Sequence, residues 1–372
     1  MYQKSSGITS GQKSKKPDRE LYLELLRVFA CFAVILIHTR NRGATRFRKY
    51  DPGTWDYAGC LFFTVFIRYA VPAFLAISGA TLLARKDESS RKQRSRILRI
   101  LAVLVLFSVV FYLDRALQNH SSIEPLKMLG LIYSTNMSSV LWYLYTYLAF
   151  LVCLPLLRPL AQNLSDRAFR YMFMLIIVFG SLIPCLEVWV FKGQIHLNPY
   201  FNLSWLMGYL IAYPMLGYYF HNRLDPAGDL KRGRWVWPAT AAVLVFTTLT
   251  LGRIMEINGG YSSSVFRVYV GKFDLLHTFS FLLLCRCLCT RLTFPGWLEK
   301  AVRSVASCVF GIYLIHILFM EKGRLFPRWQ VWLVRRGMSG LLATVLMSLV
   351  VMAFSYVITW ILKKIPVIGK LL

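Results

Sequence analysis

Long apolar runs separated by short polar connections fill this chain from Leu21 onward. About ten of them approach or exceed the length that crosses a bilayer as a helix. Their centres lie near Val34, Val71, Val105, Tyr147, Ile176, Tyr209, Val243, Phe281, Gly311 and Val350, the sixth and seventh runs being shorter. The pattern predicts an all-α polytopic membrane protein, with about ten transmembrane helices forming one bundle. No connection is long enough for a soluble domain, so residues 21–365 read as one membrane domain. A basic, disordered tail at 1–20 and a short C-terminal tail at 366–372 flank it.

The first run is the least uniform. Glu24, Arg27 and His38 interrupt the greasy stretch from Leu21 to Thr39. It lacks a small-residue cleavage site and reads as a retained span, not a signal peptide. An ionisable side chain in a span is costly and marks a functional candidate. Eleven helical steps of roughly 100° bring Arg27 and His38 back to one face, about 16 Å apart along the axis. Glu24 lies three residues before Arg27, where an ion pair would lower the cost of burial.

Composition sharpens the class. Of 372 residues, 56% are hydrophobic, and the mean hydropathy of +0.50 is too high for a soluble globule. The net charge of +27 would suit nucleic acid in a soluble protein. Here the cations cluster between apolar runs, so anionic lipid headgroups are the simpler partner, and no nucleic acid is expected. Cys285, Cys287 and Cys289 alternate near a basic helix end without a second ligand group, so no metal is expected. His120, His196 and His221 read as interfacial.

The loop from Arg85 to Arg99 also carries Lys86, Arg91, Lys92, Arg94 and Arg96. Basic loops stay cytoplasmic, which puts both termini inside. Two outer segments, Arg40–Lys49 and Lys322–Arg336, are basic against that rule and suit an anionic substrate or outer-leaflet lipid. In this topology Arg27, Arg96 and Arg99 sit at the inner mouth. His38, His316, Arg68, Trp142, Tyr143, Asp274 and His277 fall in the outer half.

A basic mouth suits the phosphates of a nucleotide-bearing acyl donor. The Arg27-to-His38 separation is of the order of a pantetheine arm. A neutral imidazole can then serve as general base toward a hydroxyl arriving from outside, with Arg68 or a tyrosine hydroxyl on the oxyanion. Bland readings stand beside each of these. Arg27 can snorkel, Trp142 and Tyr143 can belong to an aromatic belt, and Ser78-Gly79 and Gly311 can serve close helix packing. Intramembrane Arg and His also mark transporters and flippases of anionic substrates or glycans. A non-catalytic anchor or sensor is a third class. The two halves show no internal repeat of the transporter kind, and the retention of His38 and His316 counts against the third.

The ordered set of motifs resembles the membrane acyltransferases of the acyltransferase-3 family. It comprises Glu24-Leu25-Leu26-Arg27 with His38, Val71-Pro72-Ala73-Phe74-Leu75-Ala76-Ile77-Ser78-Gly79, Arg96-Ile97-Leu98-Arg99, Leu141-Trp142-Tyr143-Leu144 and Phe310-Gly311-Ile312-Tyr313-Leu314-Ile315-His316. Within that family the chain looks most similar to bacterial surface-polysaccharide O-acetyltransferases of the enterobacterial common antigen type. The resemblance implies transfer of an acyl group, usually acetyl from acetyl-CoA, to a hydroxyl of a glycan or glycolipid in the bacterial plasma membrane. It implies Arg27 and His38 as the hallmark pair, with Arg96 and Arg99 assisting the donor. His316 with Tyr313 is expected to orient the acceptor or pack behind the site. The family's aspartate before the arginine is Glu24 here, which keeps the charge. Some relatives carry an extracytoplasmic hydrolase-like domain that this sequence lacks. The chain is therefore expected to finish the reaction alone or with a separate extracytoplasmic partner, and a homo-oligomer stays open.

Overall fold

The computed structural model describes residues 19–39, 43–86, 88–191, 194–201, 203, 206, 208–224, 240–242, 244–245, 248–249, 264–320 and 324–372. Most of the described residues are helical, with no strand among them. The helices are α1 (Arg19–Ile37), α2 (Trp55–Phe66), α3 (Ala70–Leu82), α4 (Ser90–Asn119), α5 (Pro125–Ser134), α6 (Trp142–Asn163) and α7 (Asp166–Ile177). They continue as α8 (Ile183–Trp189), α9 (Ala212–Asn222), α10 (Ser264–Arg291), α11 (Gly296–Met320), α12 (Leu325–Arg335), α13 (Gly340–Leu362) and α14 (Pro366–Leu371).

Among the described residues, five helical runs are long and apolar enough to cross a membrane: Trp55–Leu82, α4, α6, α11 and α13. They contain the expected centres Val71, Val105, Tyr147, Gly311 and Val350. The centres Val34, Ile176 and Phe281 are also helical, in α1, α7 and α10. Charge sets α1 apart, since Glu20, Glu24 and Arg27 share its first half. Tyr209 lies in a turn just before α9, and Val243 lies outside the described residues. The segment at 366–372 holds α14, which packs on α4.

Helix α1 is the hub. It packs against α3, α10, α11 and α13, and its Leu26, Ala30, Cys31 and Ile35 are fully buried. Within lipid, apolar surface gives no net drive for helices to associate, so close packing by small residues matters more. The α3–α9 contact shows this. A Cβ on Gly79 would strike the Pro214 backbone, and one on Gly217 would strike the Ala76 carbonyl. A Cβ on Gly311 would meet the Thr359 side chain of α13. The packing role read for Ser78-Gly79 thus belongs to Gly79.

Side-chain caps fix other helix ends. Ser89 caps α4 by accepting from the Lys92 amide. Asp56 reaches across from α2 to the start of α13, accepting from the Ser339 hydroxyl at 2.5 Å and from the Gly340 and Leu341 amides at 2.9 and 3.0 Å. A carboxylate there meets unpaired N–H groups and the positive end of the helix dipole.

Candidate active site

Helix α1 carries Arg27, and the turn that closes it carries His38. His38 sits in the closing turn, where its backbone amide meets the carbonyls of Val34 and Ile35 at 3.2 and 3.1 Å. Its ring Nδ1 lies 2.8 Å from the Val34 carbonyl. A carbonyl only accepts, so Nδ1 carries the proton and the lone pair of the neutral ring is on Nε2. Thr39 then ends the helix, its hydroxyl donating to Leu36 at 2.6 Å and accepting from the Ala44 amide at 3.0 Å.

His316 approaches from α11 and is fully buried. Its Nδ1 donates to the Ile312 carbonyl at 3.2 Å. Its Nε2 lies 3.4 Å from Nδ1 of His38, with ring centroids 5.2 Å apart. The His38 Nδ1 proton is thus held between the Val34 carbonyl and the His316 lone pair.

A cavity of about 320 Å³ opens between α1, α3, α4, α6 and α11. Arg27, Arg96 and Arg99 line it together with Ser78, Thr81, Tyr143, Tyr147, Ser307 and Tyr313. Three aromatic rings cluster on its lining. Tyr143 and Tyr313 ring centroids are 5.6 Å apart, and Phe74 stands 6.0 Å from Tyr143 and 6.2 Å from Tyr313. Tyr313 is anchored by its hydroxyl, which donates to the Val140 carbonyl at 2.6 Å. Its other side faces His316, at 6.0 Å between centroids. Tyr313 therefore separates the cavity from the histidine pair.

The basic rim is organised by an acid. Glu88 accepts two hydrogen bonds from Arg96, at 2.6 and 2.9 Å, and one from Arg158 at 2.8 Å. Arg85 adds a third guanidinium at 3.1 Å. The bonds from Arg96, aided by Arg158 and opposed by burial, pull the Glu88 carboxyl down to about 2. Arg99 is held differently, its Nε donating to the Leu371 carbonyl of α14 at 3.1 Å.

Five of the expected residues, Arg27, Arg96, Arg99, Tyr143 and Tyr313, line one cavity, and His38 and His316 meet beyond it. Arg68 and Trp142 are placed elsewhere. Arg68 donates from Nε to the Thr64 carbonyl at 3.3 Å, and Trp142 packs edge-on to Tyr209 at 5.6 Å. The side chain of Asp274 lies outside the described residues. His277 is buried, with Nε2 3.4 Å from the Thr248 hydroxyl. Glu24 stays close enough to Arg27 to interact with its charge, and it also accepts a hydrogen bond from Arg303 of α11 at 3.0 Å, a partner the sequence did not suggest. Arg303 is held in turn by Glu299 at 2.6 Å.

A family model described as an acyltransferase domain matches residues 20–361. The chain belongs to the acyltransferase-3 family. No curated protein and no solved structure matches it. The matched stretch of this membrane acyltransferase runs from the start of α1 to the end of α13, and so includes the cavity, its arginines and both histidines. Sequence reasoning missed Glu88, Arg158 and Tyr147 at this site. The signal for Glu88 was present, as an acid set within a run of bases.

Proposed function

We propose that this acyltransferase moves an acetyl group from acetyl-CoA to a hydroxyl of a surface or lipid-linked glycan. The reading rests on one arrangement: three arginines line a cavity that Tyr313 also lines, and the Tyr313 ring stands 6.0 Å from His316 of the histidine pair. Guanidinium groups match phosphate oxygens in charge and geometry. The rise of α1 from Arg27 to His38, about 16 Å, matches the reach of a pantetheine arm laid along the helix. The basic α4 start supports an arginine mouth on the cytoplasmic side of a bacterial plasma membrane, with both termini inside.

The chemistry follows from the tautomer of His38. Nε2 takes the proton of the acceptor hydroxyl as its oxygen attacks the thioester carbonyl. The tetrahedral intermediate collapses, the carbon–sulfur bond breaks and the thiolate of CoA leaves. The proton on His38 passes to that thiolate, which restores the neutral ring. His316 keeps the His38 ring oriented through Nδ1, where the imidazolium gains an acceptor. Tyr313 turns aside to admit the thioester, giving up its bond to Val140, so that water stays out until the donor is seated.

The experiment is acetyl-CoA binding and CoA release by the purified protein in lipid nanodiscs. Binding with CoA release supports the reading. A protein that neither binds nor consumes acetyl-CoA contradicts it and moves the arginine mouth to another anionic substrate.

A further inference from the structure

The carboxylate among the rim arginines raises a question of purpose. Arg158 is buried and donates from Nε to the Leu82 carbonyl at 3.2 Å as well as to Glu88, so it needs a counter-charge. Arg96 does not. Its side chain is 21% exposed on the cavity lining, where an arginine can stay hydrated. Yet Glu88, only 2% exposed, grips Arg96 with both oxygens. A bidentate carboxylate fixes the plane of a guanidinium and leaves its other N–H groups aimed away from the pair. Ordering a long side chain in advance removes an entropy cost that a ligand would otherwise meet.

The same carboxylate joins the walls of the cavity. Arg158 comes from α6, Leu82 closes α3, and Arg96 lies on the second turn of α4. Gln162 reinforces this joint by donating to the Leu83 carbonyl at 2.8 Å. Three guanidinium groups against one carboxylate still leave the rim cationic, so the cluster attracts an anion while holding its own shape.

We infer that Glu88 is a positioning residue of the donor site, which holds the Arg96 guanidinium in the orientation that receives a phosphate of the acyl-CoA. The inference rests on the acyl-CoA reading above. It assigns to Glu88 a role in donor affinity and none in the transfer step.

The test is the KM for acetyl-CoA and the kcat, in nanodiscs, of the parent, Glu88→Gln, Glu88→Asp, Arg96→Ala and the Glu88→Gln/Arg96→Ala double variant. Glu88→Gln is expected to raise KM about tenfold with kcat within about twofold, the pattern of lost binding. Glu88→Asp, which keeps the charge and shortens the reach, falls between it and the parent. The double variant shows no higher KM than Arg96→Ala, because Glu88 acts through Arg96. An unchanged KM in a folded Glu88→Gln protein overturns the inference, as does a fall in kcat alone or an additive rise in the double variant. Where Glu88→Gln fails to fold, Glu88→Asp decides, and parental KM overturns the inference. A parent that does not bind CoA overturns the donor reading itself, whereas a binding parent with parental KM in the variants overturns the role of Glu88 alone.

Discussion

His38 and His316 meet ring to ring, Nδ1 to Nε2 at 3.4 Å, with each ring also tied to a carbonyl four residues earlier on its own helix. The two tethers set the tautomers, and the tautomers set the roles. His38 presents Nε2, and His316 supports it from behind. Replacing His316 by Ala removes the contact at Nδ1 and leaves the backbone tether to Val34 in place. The expected outcome is a kcat lowered about 10- to 100-fold with the KM for acetyl-CoA little changed. A His316→Ala protein that folds normally and turns over at the parental rate removes His316 from the mechanism.

Arg27 answers a different question, because it lines the cavity on the same helix as His38. Arg27→Lys keeps the charge and loses the planar fork. The KM for acetyl-CoA should rise about tenfold in Arg27→Lys and further in Arg27→Ala. Isothermal titration with CoA checks the same ordering in binding.

The α3–α9 contact predicts an effect on stability. A methyl group on Gly79 or Gly217 meets backbone, which cannot move aside as a side chain can. Gly79→Ala and Gly217→Ala should each cost about 1–3 kcal/mol. The readout is the temperature at which the detergent-solubilised protein loses its fold. Gly130→Ala, where added bulk meets nothing within 4 Å, is the neutral control.

Glu88 gives the fold an acid limb. Its folded pKa of about 2 lies below the ordinary carboxylate value, so its pairing stabilises the ionised form. That stability is fully present above the unfolded pKa of about 4.3 and is lost as pH falls through the folded value. The parent's unfolding temperature should therefore fall from about pH 4.3 down to pH 2 more steeply than that of Glu88→Gln. Parallel curves for the two proteins would show that Glu88 is not linked to folding.

The site was legible where one helix carries its parts. The eleven-residue spacing of Arg27 and His38 needs only helical geometry, and α1 with its closing turn carries the two residues. Tyr313 and His316, three apart on α11, were readable in the same way. Partnerships across the chain were not. Glu24 interacts with its neighbour Arg27 as its spacing suggested, but its hydrogen bond to Arg303, 279 residues away, exists only because α1 and α11 pack side by side. Arg158 and Glu88 are 70 residues apart, and only the approach of α6 to the start of α4 joins them. The helix pattern was legible for the long apolar runs. It was least so near Tyr209, which falls in a turn before α9.

The most direct measurement is transfer of radiolabelled acetyl from acetyl-CoA in lipid nanodiscs by the parent and by His38→Ala. The expected result is label transfer or CoA release by the parent that falls at least about 10²-fold in His38→Ala, while CoA binding is retained. A His38→Ala protein that transfers acetyl at the parental rate would contradict the account, because His38 is the base that takes the hydroxyl's proton.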